Sequence, residues 1–179
     1  MRILEVFADL VDRFNDWLGR TMSWLMLPVV LVAFAVVFLR YAMGIGFPWL
    51  QEVYIWLHGI AFMAAAAWVL KEDGHVRVDL IFKRLGLRAR AWIELFGVFI
   101  FLMPMTVLML WWAWPAVQRS WRLLERSPTS DGLQFMYVLK AFVVVFCVTV
   151  ILQGLAMAAR AVLVLAGKSV SLGSGRSHG

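Results

Sequence analysis

Residues 141–159 read AFVVVFCVTVILQGLAMAA, nineteen residues without an Asp, Glu, Lys or Arg. As a helix this stretch would reach about 28 Å, close to the ~30 Å thickness of a bilayer's hydrocarbon core. Residues 21–39, 53–70 and 95–118 are free of charge over similar or greater lengths. Four such segments do not suit a soluble core. The chain is 63% hydrophobic and only 16% charged, too little charge for a water-facing surface. The third segment is the longest, which predicts a tilt. Pro104 and Pro115 within it, and Pro28 in the first, each remove a backbone donor and predict a bend. The fold class expected is an all-α integral membrane protein with four transmembrane helices. An N-terminal amphipathic interfacial helix and a short cytoplasmic interfacial helix complete it.

The charges lie at the ends of the apolar runs. One side of the membrane would hold twelve Lys and Arg residues, including Arg2, Arg13, Arg20, Lys71, Lys83, Arg84 and Arg160; the other would hold Arg40, Arg119, Arg122, Arg126 and Lys140. The excess of basic residues on the cytoplasmic side of membrane proteins then places both termini and the 71–90 connection inside. The net charge of +6 is not gathered into a stripe between aromatic side chains, so it does not describe a nucleic-acid groove. Tryptophans gather near the expected interfaces, where amphipathic rings settle. Trp24, Trp68 and Trp92 would anchor the inner side and Trp49, Trp111, Trp112 and Trp114 the outer.

Domain organisation follows. Residues 1–20 form the amphipathic helix, with Ile3, Phe7, Leu10, Phe14 and Trp17 on one face and Glu5, Asp9, Asp12 and Asp16 on another. That acidic side faces either water or a basic protein surface. Residues 21–166 form the membrane domain. Residues 167–179 are a Gly/Ser-rich tail expected to be disordered. Between the second and third spans, Asp73-Gly74 predicts a turn, and His75, Arg77 and Asp79 alternate with Val76, Val78 and Leu80. Asp79 would cap a short helix over 80–85, whose Lys83 and Arg84 reach lipid phosphates.

Catalysis has no visible home. There is no nucleophile–base arrangement, no phosphate loop and no metal-ligand spacing, and Cys147 is the only cysteine. No cofactor is expected. His58 is the ionisable group of note inside a span, with Thr106, Thr149 and Gln153 as milder polar groups. A haem between helices would need a second axial ligand at similar depth, and His75 and His178 lie outside the spans. A haem-bearing respiratory anchor and a small homo-oligomeric transporter are therefore the rival readings, each short of the polar groups it needs. Small residues offer close helix approach instead: Gly59 with the alanines at 64–67, and Gly154 with Ala158. At the outer end Arg40 and Glu52 flank a short loop, and their pairing would orient Trp49.

Three features resemble a known family. They are RYAMGIGFPWLQEVYIW (40–56), KEDGHVRVDLI (71–81) and the four-span layout; GLQFMYVLKAF (132–142) is a weaker echo. Together the chain resembles, over about residues 5–165, the small (Q, DctQ-like) membrane subunit of tripartite ATP-independent periplasmic (TRAP) transporters. It departs from that pattern at Gln51-Glu52, where many members carry two acids, and at Gln134, where many carry proline. The resemblance implies a non-catalytic scaffold in the bacterial inner membrane. Its partners would be a large multi-span subunit, a periplasmic solute-binding protein and membrane lipids, in a sodium-driven uptake system for organic anions. Arg40, Trp49, Glu52, Gly74, His75, Arg77, Asp79, Gly154 and Ala158 are the candidates for partner or structural contacts.

Overall fold

The computed structural model describes residues 2–72 and 85–167. The candidate contacts Gly74, His75, Arg77 and Asp79, the anchors Lys83 and Arg84, the alternating run, nearly all of the short helix at 80–85, and the tail after Gly167 lie outside the described residues. Six α-helices account for most of the rest: α1 (Arg2–Ser23), α2 (Met26–Ala42), α3 (Pro48–Lys71), α4 (Leu87–Phe96), α5 (Met103–Leu123) and α6 (Met136–Leu165). A six-residue π-helical turn, Gly97–Leu102, joins α4 to α5. There is no strand among the described residues. Four stretches are long and apolar enough to cross a membrane: Arg2–Ala42, Pro48–Lys71, Leu87–Leu123 and Met136–Leu165.

Local chemistry explains where these helices break. Pro28 cannot donate to the Trp24 carbonyl, and Leu27 donates to it instead at 3.3 Å. The helix is interrupted at Trp24 and Leu25, so residues 21–23 belong to α1 rather than to the first span. Pro104 acts similarly in the third span. The preceding turn widens, with the Met103 amide donating to the Val98 carbonyl five residues back. α3 starts with Pro48 in its first turn, where a missing amide costs nothing. α5 ends at Leu124, a left-handed residue (φ 45°), with the Glu125 amide closing back onto the Ser120 carbonyl at 3.0 Å.

The spans pack as a row. α2 rests on α3, α3 on α6, and α6 on α4 and α5, while α1 lies across α3 and α6 at one end. α6 is therefore the central helix. What is buried is small: Ala8, Val11 and Ala156 meet in one cluster, Ala67, Leu70 and Val150 in a second, and Ala91, Ala161 and Val164 in a third. What is exposed is large, including Phe34, Phe62, Phe101, Met105 and Trp112. That inversion is expected where lipid is the solvent, because helices then gain by close backbone approach rather than by hiding bulk. α2 has no buried residue at all.

Gly154 shows how local structure serves this packing. A Cβ there would collide with Leu102 and sit 3.3 Å from Met103 Cε and 3.5 Å from Val98 Cγ1. The π-helical turn thus delivers its side chains onto the one position of α6 that has no side chain to refuse them.

Candidate functional site

The polar residues collect into two sites, one at each end of the row. At the first, α1 presents three faces. Ala8, Val11, Asn15, Leu18 and Gly19 are buried against the spans, Ile3, Leu10, Phe14 and Trp17 point outward, and Asp9, Arg13 and Arg20 form an exposed polar edge. Spacings of three and four residues generate each stripe. Asp12 and Asp16 lie on the seam between the buried face and the polar edge, largely covered.

Those two carboxylates hold the helix down. Arg160 of α6 donates to Asp12 Oδ2, and the two side chains are only 13% and 15% exposed. Gln153, fully buried, donates to Asp12 Oδ1 at 3.1 Å and accepts from Asn15 Nδ2 at 2.7 Å. Lys71, at the end of α3 with a side chain 7% exposed, donates to Asp16 and lies 3.4 Å from Glu72. Trp68 completes the latch: its ring covers Gly19, where a Cβ would stand 2.7 Å from the tryptophan's own Cβ. Of the two environments open to the acidic side, Asp12 and Asp16 meet a basic surface within the chain, and Asp9 is exposed. The signal in the sequence was the pair of acids four residues apart, set against lone cations ending two spans.

At the opposite end, Glu52 organises the loop between α5 and α6. It accepts from the Ser127 hydroxyl and, at 2.7 Å, from the Leu133 amide. Ser127 and Leu133 are also joined through the backbone at 2.9 Å, and the Gly132 amide donates to the Thr129 carbonyl at 3.0 Å. Gly132 has to be glycine here, because a Cβ would lie 2.7 Å from Ser127 Cβ and 2.9 Å from Glu52 Oε1. A second tie, Lys140 donating to Glu125 Oε2 at 2.5 Å, holds the Glu125 carboxyl below its usual value. That tie is present at neutral pH and is lost as acid protonates Glu125.

The expected pairing of Arg40 with Glu52 is not formed. Arg40 lines a shallow pocket of about 330 Å³ with Gly44, Phe47 and Gln51, and makes no ion pair among the described residues. Glu52 turns to the 127–133 loop because an amide and a hydroxyl there satisfy both of its oxygens. Trp49 is exposed, next to Phe47. Gly154 and Ala158 are both buried inside the chain. Trp24, Trp92, Trp111, Trp112 and Trp114 are exposed, whereas Trp68 is half-buried under α1.

Glu52→Gln should weaken this clamp by about 1.5–3 kcal/mol, the usual worth of hydrogen bonds to a charged group. Limited trypsin digestion checks it: cleavage after Arg126 should speed up roughly tenfold or more, with the rest of the chain unaffected.

Neither site has the form of a solute site or a reaction centre. Among the described residues no group of three His, Cys, Asp or Glu could hold a metal ion. The larger groove, about 660 Å³ between α5 and α6, is walled by Phe14, Trp114, Trp121, Val144, Val148 and Leu152, and it is overwhelmingly apolar. At both sites these polar groups are spent on holding helices and loops together.

The family profile described as "Tripartite ATP-independent periplasmic transporters, DctQ component" matches residues 29–164. The chain belongs to the DctQ family. No curated protein and no solved structure matches it. The match takes in the Glu52 clamp and the Lys71, Gln153 and Arg160 side of the latch, while Asp12, Asn15, Asp16 and Gly19 precede it. As a DctQ-family chain it is a non-catalytic, multi-pass membrane component of a TRAP transporter.

Proposed function

We propose that this DctQ chain is the scaffold subunit of a sodium-coupled, secondary active uptake system for organic anions, carboxylates above all. It braces a large multi-span subunit that moves the solute and presents an outer surface to a periplasmic solute-binding protein. The observation that carries the reading is the division of side chains: Asn15, Lys71, Gln153 and Arg160 are consumed in self-attachment, while bulky apolar groups line the outside. A subunit that moved an anion itself would need convergent polar groups or broken helices around a mid-membrane cavity. The Glu52 clamp stiffens the outer loop on which a soluble partner would rest. The distribution of Lys and Arg supports a periplasmic position for that loop and a cytoplasmic one for the latch, and membership of the DctQ family supports the bacterial inner membrane.

Uptake of a panel of labelled carboxylates into cells holding all three components tests the function. Removing this chain should abolish uptake of the transported acid, and so should collapsing the sodium gradient. Uptake that persists without the chain contradicts the scaffold role. For orientation, a Cys147→Ser background carrying Ser130→Cys should react with an impermeant thiol reagent added outside spheroplasts. Protection of that cysteine would reverse the assignment.

A further inference from the structure

We propose that Arg2, Arg13 and Arg20 of α1 form a row that binds the headgroups of anionic phospholipids, with an acyl chain lying in the apolar recess below Arg2. Only the membrane placement of the chain is required, whatever solute the transporter moves.

From its sequence α1 looks unsuited to such a partner. It carries Glu5, Asp9, Asp12 and Asp16 against three arginines, whereas helices attracted to anionic lipid present cations. Folding reverses that balance. Asp12 is taken by Arg160 and Asp16 by Lys71. Glu5 is half-buried and partnered, so Asp9 is the acid of α1 left exposed. The three arginines are all exposed, and none makes an ion pair among the described residues. The charge that α1 turns outward is therefore basic.

The placement of the arginines fits a layer of phosphates. Eleven and seven residues apart, they fall within about 20° of one line along the helix, roughly 27 Å from first to last. α1 lies across α3 and α6, so that line runs along the membrane surface rather than into it. On one side of the row lie Val6, Leu10, Phe14 and Trp17, all exposed. Phe14 shares a groove with Val148 and Leu152, which precede Arg160 on α6, so this apolar flank is the one turned toward the hydrocarbon. The acids stand on the other side, toward water. Cations set between an apolar flank and an acidic one lie at the depth of lipid phosphates.

A second observation points the same way. Ile3, Val6, Phe7 and Leu10 wall a recess of about 410 Å³ that Arg2 borders. A cation beside an apolar recess is the complement of a charged headgroup on an acyl chain. Trp17, between Arg13 and Arg20, adds an aromatic ring of the kind that settles at this level. An acidic protein surface would pair with the arginines but not with the continuous apolar flank below them. A phospholipid matches both at once.

The test uses the full chain, purified and reconstituted into phosphatidylcholine vesicles. Brominated phosphatidylglycerol or brominated phosphatidylcholine is then introduced in steps. In a Cys147→Ser background, a bimane fluorophore is attached at Val6→Cys beside the row, or at Phe34→Cys on α2 as the reference. Quenching by each lipid gives its relative affinity at each position. We expect phosphatidylglycerol to be preferred at position 6 by about fivefold for each arginine engaged, the equivalent of ~1 kcal/mol per cation at an anionic surface. At position 34 the two lipids should quench equally. Replacing all three arginines by glutamine should abolish the preference, replacing them by lysine should keep most of it, and Asp9→Asn should increase it. High salt should weaken it, as it does for exposed charges. Equal quenching by the two lipids at position 6 overturns the proposal, and so does a preference that survives in the glutamine variant. A preference of the same size at positions 6 and 34 also overturns it, since the net charge of the chain would then be the cause.

Discussion

Asp12→Ala should destabilise the folded chain by about 3 kcal/mol, the largest effect of any single substitution on the N-terminal helix. The magnitude comes from comparing two costs. Interhelical hydrogen bonds in membrane proteins average only ~0.6 kcal/mol, so losing the Gln153 contact alone would be modest. Removing the carboxylate also leaves the Arg160 guanidinium beside it largely buried without its counter-charge, and breaking a buried pair that way costs about 3–5 kcal/mol. The second cost decides the outcome. Asp12→Asn should fall between, because its one amide oxygen can still accept from either Gln153 or Arg160, though not from each on its own oxygen. The double variant Asp12→Ala with Arg160→Leu should regain most of the loss, since no unpaired charge remains. Thermal unfolding in a mild detergent, followed by tryptophan fluorescence, measures all three.

Gly19→Ala should cost about 1–3 kcal/mol, a typical penalty for forcing a methyl group into a filled space. The neighbour cannot step aside, because the clash involves the Cβ and inner ring atoms of Trp68 rather than the tip of a flexible chain. α1 must lift instead, which pulls Asp16 from Lys71 and Ala8 from Ala156. The prediction is sharpest as a double-mutant cycle. Trp68→Ala will itself destabilise by leaving a cavity, yet in that background Gly19→Ala should cost almost nothing. Additive losses would show that the ring does not lie on Gly19.

The spans and the helical class were legible because a charge-free run of eighteen or more residues has few other physical uses. Their ends were less so. α6 continues past Arg160 to Leu165, and the third span begins at Leu87, because helices carry charged residues once they leave the hydrocarbon. The prolines at 28 and 104 announced breaks that the structure places within one turn of each. The latch was only half visible: acids on α1 were plain, but Asp12 and Arg160 are 148 residues apart, and no local pattern chooses that partner. Glu52 was read toward its nearest cation, whereas the 127–133 loop offers it a better-matched set of donors. His58 was visible as an oddity, and only the packing of α3 shows that it faces outward.

A scaffold within a larger transporter should leave its native membrane in company. Purification of the tagged chain from its native membrane in a mild detergent, followed by mass spectrometry and stoichiometry, tests that most directly. The expected result is a large multi-span permease in near-equal amount. Recovery of the chain alone, or together with redox subunits carrying haem, would contradict it.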